Sequence, residues 1–136
     1  MKQISENIWE FDPQVYPQLL WVAVNPTKEE QSAFTTLYEE PEKELNVDLS
    51  GSNAVVDRVR FKESRMTGNI ITFKSLEQMR YATVTHESTH VTMNVFAYCD
   101  IRAHYDNQEP FGYFAGWVAE CCEKVKKEIE NGNRTM

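Results

Sequence analysis

The sequence predicts an α+β fold, with a small sheet of about three strands packed against a central helix and a C-terminal helix. Three observations lead there. Short β-branched and aromatic runs occur at residues 19–24, 55–62 and 69–74, the length and composition of strands. Beyond Lys74 such runs give way to longer stretches with helix-start signals. The 136-residue chain is 41% hydrophobic and 26% charged, which suits one soluble domain, spanning 1–136, with a single moderate core.

Taken in order, the first strand is LLWVAV at 19–24, entered past Pro17, a residue compatible with a strand start or edge. Asn25-Pro26-Thr27 then turns the chain into a helix. Thr27 and Glu30 have capping-box spacing, and Phe34, Leu37 and Tyr38 supply the expected buried stripe. Pro41 closes that helix, and residues 42–53 read as an acidic loop with a Ser50-Gly51-Ser52-Asn53 turn signal. Strands follow at 55–62 and 69–74, reversing around Thr67-Gly68. The sheet is expected to be mixed or antiparallel, with one face in water and one under helices. Ser75 and Gln78 form a second capping-box pattern, so a helix should start near Leu76 and fade between Tyr98 and His104. A polar stretch from Tyr105 to Glu109 separates it from a last helix. Pro110 fits that helix's first turn, Trp117, Val118, Val125 and Ile129 lie along it, and the tail should fray after Gly132.

Composition narrows the function. A net charge of −7 argues against a nucleic-acid partner, which requires a basic surface to displace counterions. No apolar run approaches the roughly 20 residues that span a bilayer, and the N-terminus lacks the apolar core of a signal peptide. The expected location is the cytoplasm, with no membrane partner. Cys99, Cys121 and Cys122 are odd in number, and two are adjacent. That is a poor disulfide framework, so they read as small apolar helix residues.

The chemistry concentrates in HESTH at 86–90, which holds two of the chain's three histidines. Residues four apart share a helix face, so His86 and His90 can offer two imidazole nitrogens to one Zn2+ ion. Glu87, rotated around the axis, is placed to act as general base on a water that zinc acidifies. A competing reading is a chance match in a strand, since Thr83, Val84, Thr85, Thr89, Val91, Thr92 and Val95 are β-branched. In a strand Glu87 would point away from the histidines.

A catalytic zinc takes a third protein ligand. Met93 and Phe96 stand where a metzincin requires glycine and histidine, which excludes that class. Asp100, His104, Asp106, Glu109 and Glu120 remain. Glu109 is favoured, because a following antiparallel helix can return it and a helix N-terminus favours an ionised carboxylate. His104 is second.

HESTH followed by Glu-Pro-Phe-Gly-Tyr at 109–113 resembles the gluzincins, whose third ligand is a glutamate on a following helix. Residues 80–118 are also similar to small phage- and prophage-encoded proteins with a short loop between HExxH and a Glu-Pro-aromatic-small-Tyr helix start. The resemblance implies a minimal zincin-like domain with His86, His90 and Glu109 as zinc ligands and Glu87 as base. The asparagine and aspartate that accompany the glutamate in thermolysin-like order are missing.

Acyl transfer also needs an oxyanion donor. Tyr113, one turn beyond Glu109, is the first choice, with His104 and Tyr105 as alternatives. The expected function is zinc-dependent hydrolysis of a protein or peptide, bound extended along a sheet edge. Two other classes compete: a zinc-binding module without turnover, and a phage assembly protein whose histidines sit in a helix interface.

Overall fold

The most apolar run of the first half, LLWVAV, becomes a central strand of the sheet. The structure is a computed structural model, and it describes residues 1–35, 37 and 52–134. Within these, five strands form one sheet: β1 (Lys2–Ser5), β2 (Ile8–Phe11), β3 (Leu19–Val24), β4 (Ala54–Arg60) and β5 (Thr67–Phe73). Their order is β1-β2-β3-β5-β4. The β3–β5 pair is parallel and every other pairing antiparallel. The helices are α1 (Lys28–Thr35), α2 (Tyr81–Tyr98) and α3 (Gln108–Arg134). Tyr38, Pro41, residues 42–51 of the expected acidic loop and Met136 lie outside the described residues.

The α+β class is as expected, but the sheet has five strands rather than about three. The two extra strands form an N-terminal hairpin. β1, KQIS, is almost wholly exposed and shows no apolar alternation. β2 has only four residues, IWEF. Neither announces itself in sequence, because what holds β2 is its pairing with β3, from Ile8↔Ala23 to Phe11↔Leu20. Side-chain contact reinforces one opposed pair: Trp21 Nε1 donates to Glu10 Oε1 at 3.0 Å.

The expectation of one water-facing sheet surface is also corrected. Strand alternation sends Leu20, Val22 and Val24 into the core shared with α2 and α3, and Trp21 and Ala23 into a second core. Helix α1 covers that second face through Phe34, whose ring packs 5.5 Å from Trp21 and 5.3 Å from Phe61. Leu37, expected beside Phe34, is 52% exposed. At the centre, Gly68 is opposite Leu19, and a Cβ there would collide with the Leu19 backbone carbonyl. Only glycine permits that approach.

Of the two capping boxes, one forms. Glu30 N–H donates to Thr27 Oγ1 at 3.1 Å, and Thr27 N–H donates to Glu30 Oε1 at 3.0 Å. The same carboxylate accepts from Ser5 Oγ, Asn7 N–H and Asn7 Nδ2, so Glu30 clips the β1–β2 turn to the start of α1. Ser75, by contrast, makes no side-chain cap bond. It precedes a single 3-10 turn, Leu76–Gln78, and α2 begins at Tyr81 with Arg80 as its N-cap. Between them Met79 leaves helical geometry and buries its side chain to 3% exposure. Core burial there outweighs the local helix signal.

Helix α2 ends at Tyr98, within the expected range, in a Schellman arrangement. Asp100 takes φ 56°, its N–H donates to Ala97 O, and Ile101 N–H donates to Phe96 O. Pro110 sits in the first turn of α3, as expected. That helix buries Phe114, Val118, Cys121, Cys122 and Val125 and continues past Gly132 to Arg134.

Burial pushes the Glu30 carboxyl up, but hydrogen bonds from Ser5, Thr27 and Asn7 outweigh it and hold the pKa down at about 2, against 4.5 unperturbed. A depressed acid stabilises the fold above its unfolded pKa and stops doing so as pH falls through the folded one. Glu30→Gln is therefore expected to lower the urea midpoint at pH 7, with the deficit shrinking between pH 4.5 and about 2. A deficit that stays constant over that range would show that the charge contributes nothing.

Candidate metal centre

Helix α2 buries one stripe: Glu87, Ser88, Val91, Thr92, Val95 and Phe96. Helical spacing explains the set, since these positions recur every three or four residues on one face. The β-branched content that competes for a strand is here accommodated by packing: Val91 and Val95 are each 1% exposed. Thr92 Oγ1 turns its hydroxyl back onto Ser88 O at 2.8 Å. The strand alternative for HESTH is thus eliminated, and the helical premise of the motif holds.

The motif is divided between two faces. His86 and His90 are exposed, one turn apart, with ring centroids 4.8 Å apart and Nε2 atoms 3.1 Å apart. Two ligands of a tetrahedral zinc, each about 2.0–2.1 Å from the metal, stand about 3.3 Å apart. The pair therefore fits two positions of such a site. The same distance suits a hydrogen bond between a neutral donor ring and a neutral acceptor ring. Neither ring's Nδ1 has a hydrogen-bond partner among the described residues, so the orienting acceptor usual for metal-binding histidines is missing here.

Glu87 falls on the buried stripe and is 6% exposed. Its carboxylate accepts no hydrogen bond among the described residues. Burial raises its pKa, and His86 and His90 partly offset the rise. The carboxylate keeps contact with the open groove that it lines, and titratable groups with shifted pKa values concentrate at functional sites. Glu87 and His86 line an open groove of about 360 Å³ with Arg80, Ala82 and Thr83 of α2 and Ser52, Asn53 and Ala54 at the start of β4. β4 is an edge strand, so the groove runs beside a sheet edge.

The other expected site residues lie elsewhere. Glu109 is exposed in the first turn of α3. Tyr113, one turn on, is 76% exposed. Glu120 is exposed on α3 as well. Asp100 is the left-handed residue that terminates α2. His104 caps the short 3-10 turn Tyr105–Asn107, where its Nδ1 accepts from Asp106 N–H at 3.3 Å and lies 3.4 Å from Asp106 Oδ2. Among the described residues no set of three His, Cys, Asp or Glu side chains is placed to hold a metal. The described residues bring His86 and His90 together next to Glu87, and Glu109 does not complete a three-ligand group with the histidines.

The cysteines behave as apolar residues. Cys121 and Cys122 are 1% and 0% exposed. Burial pushes the Cys121 thiol up to about 12, with Lys124 offsetting a little of the rise. Burial, Cys121 and Glu87 push Cys122 up as well. Thiols held protonated are poor metal ligands.

Arg80 and the Ser52–Ala54 wall were not singled out from sequence. Arg80, Thr83 and Glu87 have the spacing of one helix face, but only tertiary packing shows that this face meets the Ser52–Ala54 wall. The chain matches no protein-family model, no curated protein and no solved structure. Among the described residues, no helix is long and apolar enough to cross a membrane.

A raised carboxyl pKa destabilises the fold as pH rises from the unfolded value through the folded one. In metal-free protein, Glu87→Gln is expected to unfold at higher urea than wild type at pH 7, by roughly 1 kcal/mol. The two should converge below pH 4.5, the unperturbed value. A Gln variant less stable than wild type at pH 7 would mean the carboxylate has a favourable partner.

Proposed function

We propose that this protein is a zinc-dependent peptidase of the gluzincin type. The observation that carries the proposal is the convergence of His86 and His90 Nε2 atoms, 3.1 Å apart, with His86 sharing an open groove with the Glu87 carboxylate, which has no hydrogen-bond partner among the described residues. His86 and His90 would hold the metal. Glu109 is the proposed third ligand, and recruiting it requires the first turn of α3 to shift towards α2. That turn's leading N–H groups have no acceptors within the helix and Pro110 has no N–H to donate, while Phe111 holds it to Phe96 of α2 with ring centroids 5.5 Å apart.

When bound, the metal would supply Lewis acidity to a water and to the substrate carbonyl. Glu87 would supply the base, taking a proton from the attacking water and delivering it to the departing amine. The groove wall at Ser52–Ala54, beside the start of β4, offers an extended peptide a surface to lie along. Tyr113 shares a face with Glu109 and would arrive with it as oxyanion donor.

Protein purified without a histidine tag should contain zinc near one equivalent, and His86→Ala should weaken zinc binding more than about 100-fold. Folded, metal-free protein that cannot be loaded would remove the proposal. Glu87→Gln should keep zinc and lower kcat by about 10²–10⁴-fold; unchanged turnover would exclude Glu87 as base. Glu109→Ala should lower zinc affinity at least about tenfold while leaving the fold intact. Wild-type affinity in that variant would leave the two histidines as the protein's ligands and remove the gluzincin assignment.

A further inference from the structure

The groove beside Glu87 has a second chemical end. Arg80, Thr83 and Glu87 stand at helical spacing along one wall, and Ser52, Asn53 and Ala54 form the other. Arg80 opens α2 without making a side-chain cap bond. Its guanidinium donates to the neutral Gln78 Oε1 at 3.3 Å and has no carboxylate partner among the described residues. That is unexpected in a chain with 21 acidic and 14 basic side chains. The first intrahelical bond is donated by Val84 N–H to Arg80 O, so the N–H groups of Tyr81, Ala82 and Thr83 add unpaired donors at the same place. The helix dipole makes that end electropositive.

At the other end Glu87, 6% exposed and without a hydrogen-bond partner, faces the groove. The groove is thus bipolar: a guanidinium and a helix N-terminus at one end, a carboxylate at the other. Along the helix the two ends are about 10 Å apart at 1.5 Å per residue. An extended peptide covers that span with about two or three residues. A ligand matching both ends carries a carboxylate at one terminus and an N–H or amine about three residues away.

Resting on the peptidase reading, we propose that the groove binds the carboxy-terminal end of a peptide, with the terminal carboxylate on Arg80 and the bond to be cut beside Glu87. In the reaction, the oxygen of water bonds to the carbonyl carbon and the C–N bond breaks. One water proton goes through Glu87 to the departing nitrogen. The upstream fragment ends in a new carboxylate, and a short zwitterionic di- or tripeptide is released. The protein is then a carboxy-terminal peptidase, with Arg80 as its specificity-determining residue.

The test uses N-terminally fluorescein-labelled pentaalanine as free acid, as C-terminal amide, and as an amide carrying one glutamate. Anisotropy titrations on metal-free wild type measure binding without turnover, and mass spectrometry on zinc-loaded protein identifies products. The free acid should bind about tenfold more tightly than the plain amide, the yield of one charge-assisted contact. Arg80→Gln should abolish that difference, and Arg80→Lys should restore part of it. Zinc-loaded protein should release di- or trialanine from the free acid. Equal binding and cleavage of acid and amide would overturn the carboxylate anchor and leave the peptidase standing. A glutamate-bearing amide that matches the free acid would overturn the assignment to the terminus. Arg80-dependent binding of the acid with no cleavage by zinc-loaded protein would support the anchor and sink the peptidase reading instead.

Discussion

β3 and β5 run parallel, side by side in the middle of the sheet, with Gly68 opposite Leu19 at their shared start. A parallel pair cannot be closed by a tight turn, so the chain must leave the sheet and return. It does so through α1 and β4, and much of the architecture follows from that detour. The crossover lays α1 over one face, where Phe34 meets Trp21 and Phe61. It also places β4 at an edge of the described sheet, paired with β5. The chain emerging from β5 then enters α2 on the opposite face. Both faces are buried, which is the usual condition for a parallel pair.

Within that frame, the position of Glu87 follows from packing. α2 is anchored to the sheet by a stripe that includes Val91, Val95 and Phe96, and helical periodicity continues that stripe through Glu87. The same periodicity puts His86 and His90 on the exposed neighbouring face. Burial that holds the helix also desolvates its single carboxylate, so the fold's stability and the acid–base character of the site have one cause. Glu30, only half-buried, accepts bonds from Ser5, Asn7 and Thr27, and its pKa falls. Glu87 has no such partners and its pKa rises. The contrast is between a carboxylate held by hydrogen bonds and one desolvated without them.

The groove inherits its polarity from the same placement. Met79, by burying itself, ends the 3-10 turn and sets the start of α2 at Tyr81. Arg80 and the unpaired first-turn donors are thereby brought to one end of the channel whose other end is Glu87. The third proposed ligand depends on a different element. Glu109 is in the first turn of α3, the part of a helix least constrained by its own hydrogen bonds, so completing the metal shell couples to movement there and not to the rigid α2–sheet core.

The sequence by itself determined the α+β class, β3, approximate β4 and β5, the Thr27–Glu30 capping box, the apolar role of the cysteines, and the helical spacing that brings His86 to His90. These are local quantities: periodicity, cap chemistry and motif spacing are carried by neighbouring residues. The hairpin of β1 and β2 was not legible, because KQIS and IWEF become strands by pairing with β3 and not through any pattern of their own. The start of α2 was misplaced because Ser75 and Gln78 signal a cap locally while Met79 answers to the core. Whether a carboxylate near HESTH stands beside the histidines is equally beyond sequence: the packing of α3 on α2 decides it, and Glu109 is exposed in the first turn of α3. Only the tertiary structure decided that Glu87 is buried without a partner and that Arg80 shares its groove, because both facts depend on which surfaces meet across α2 and the edge of the sheet.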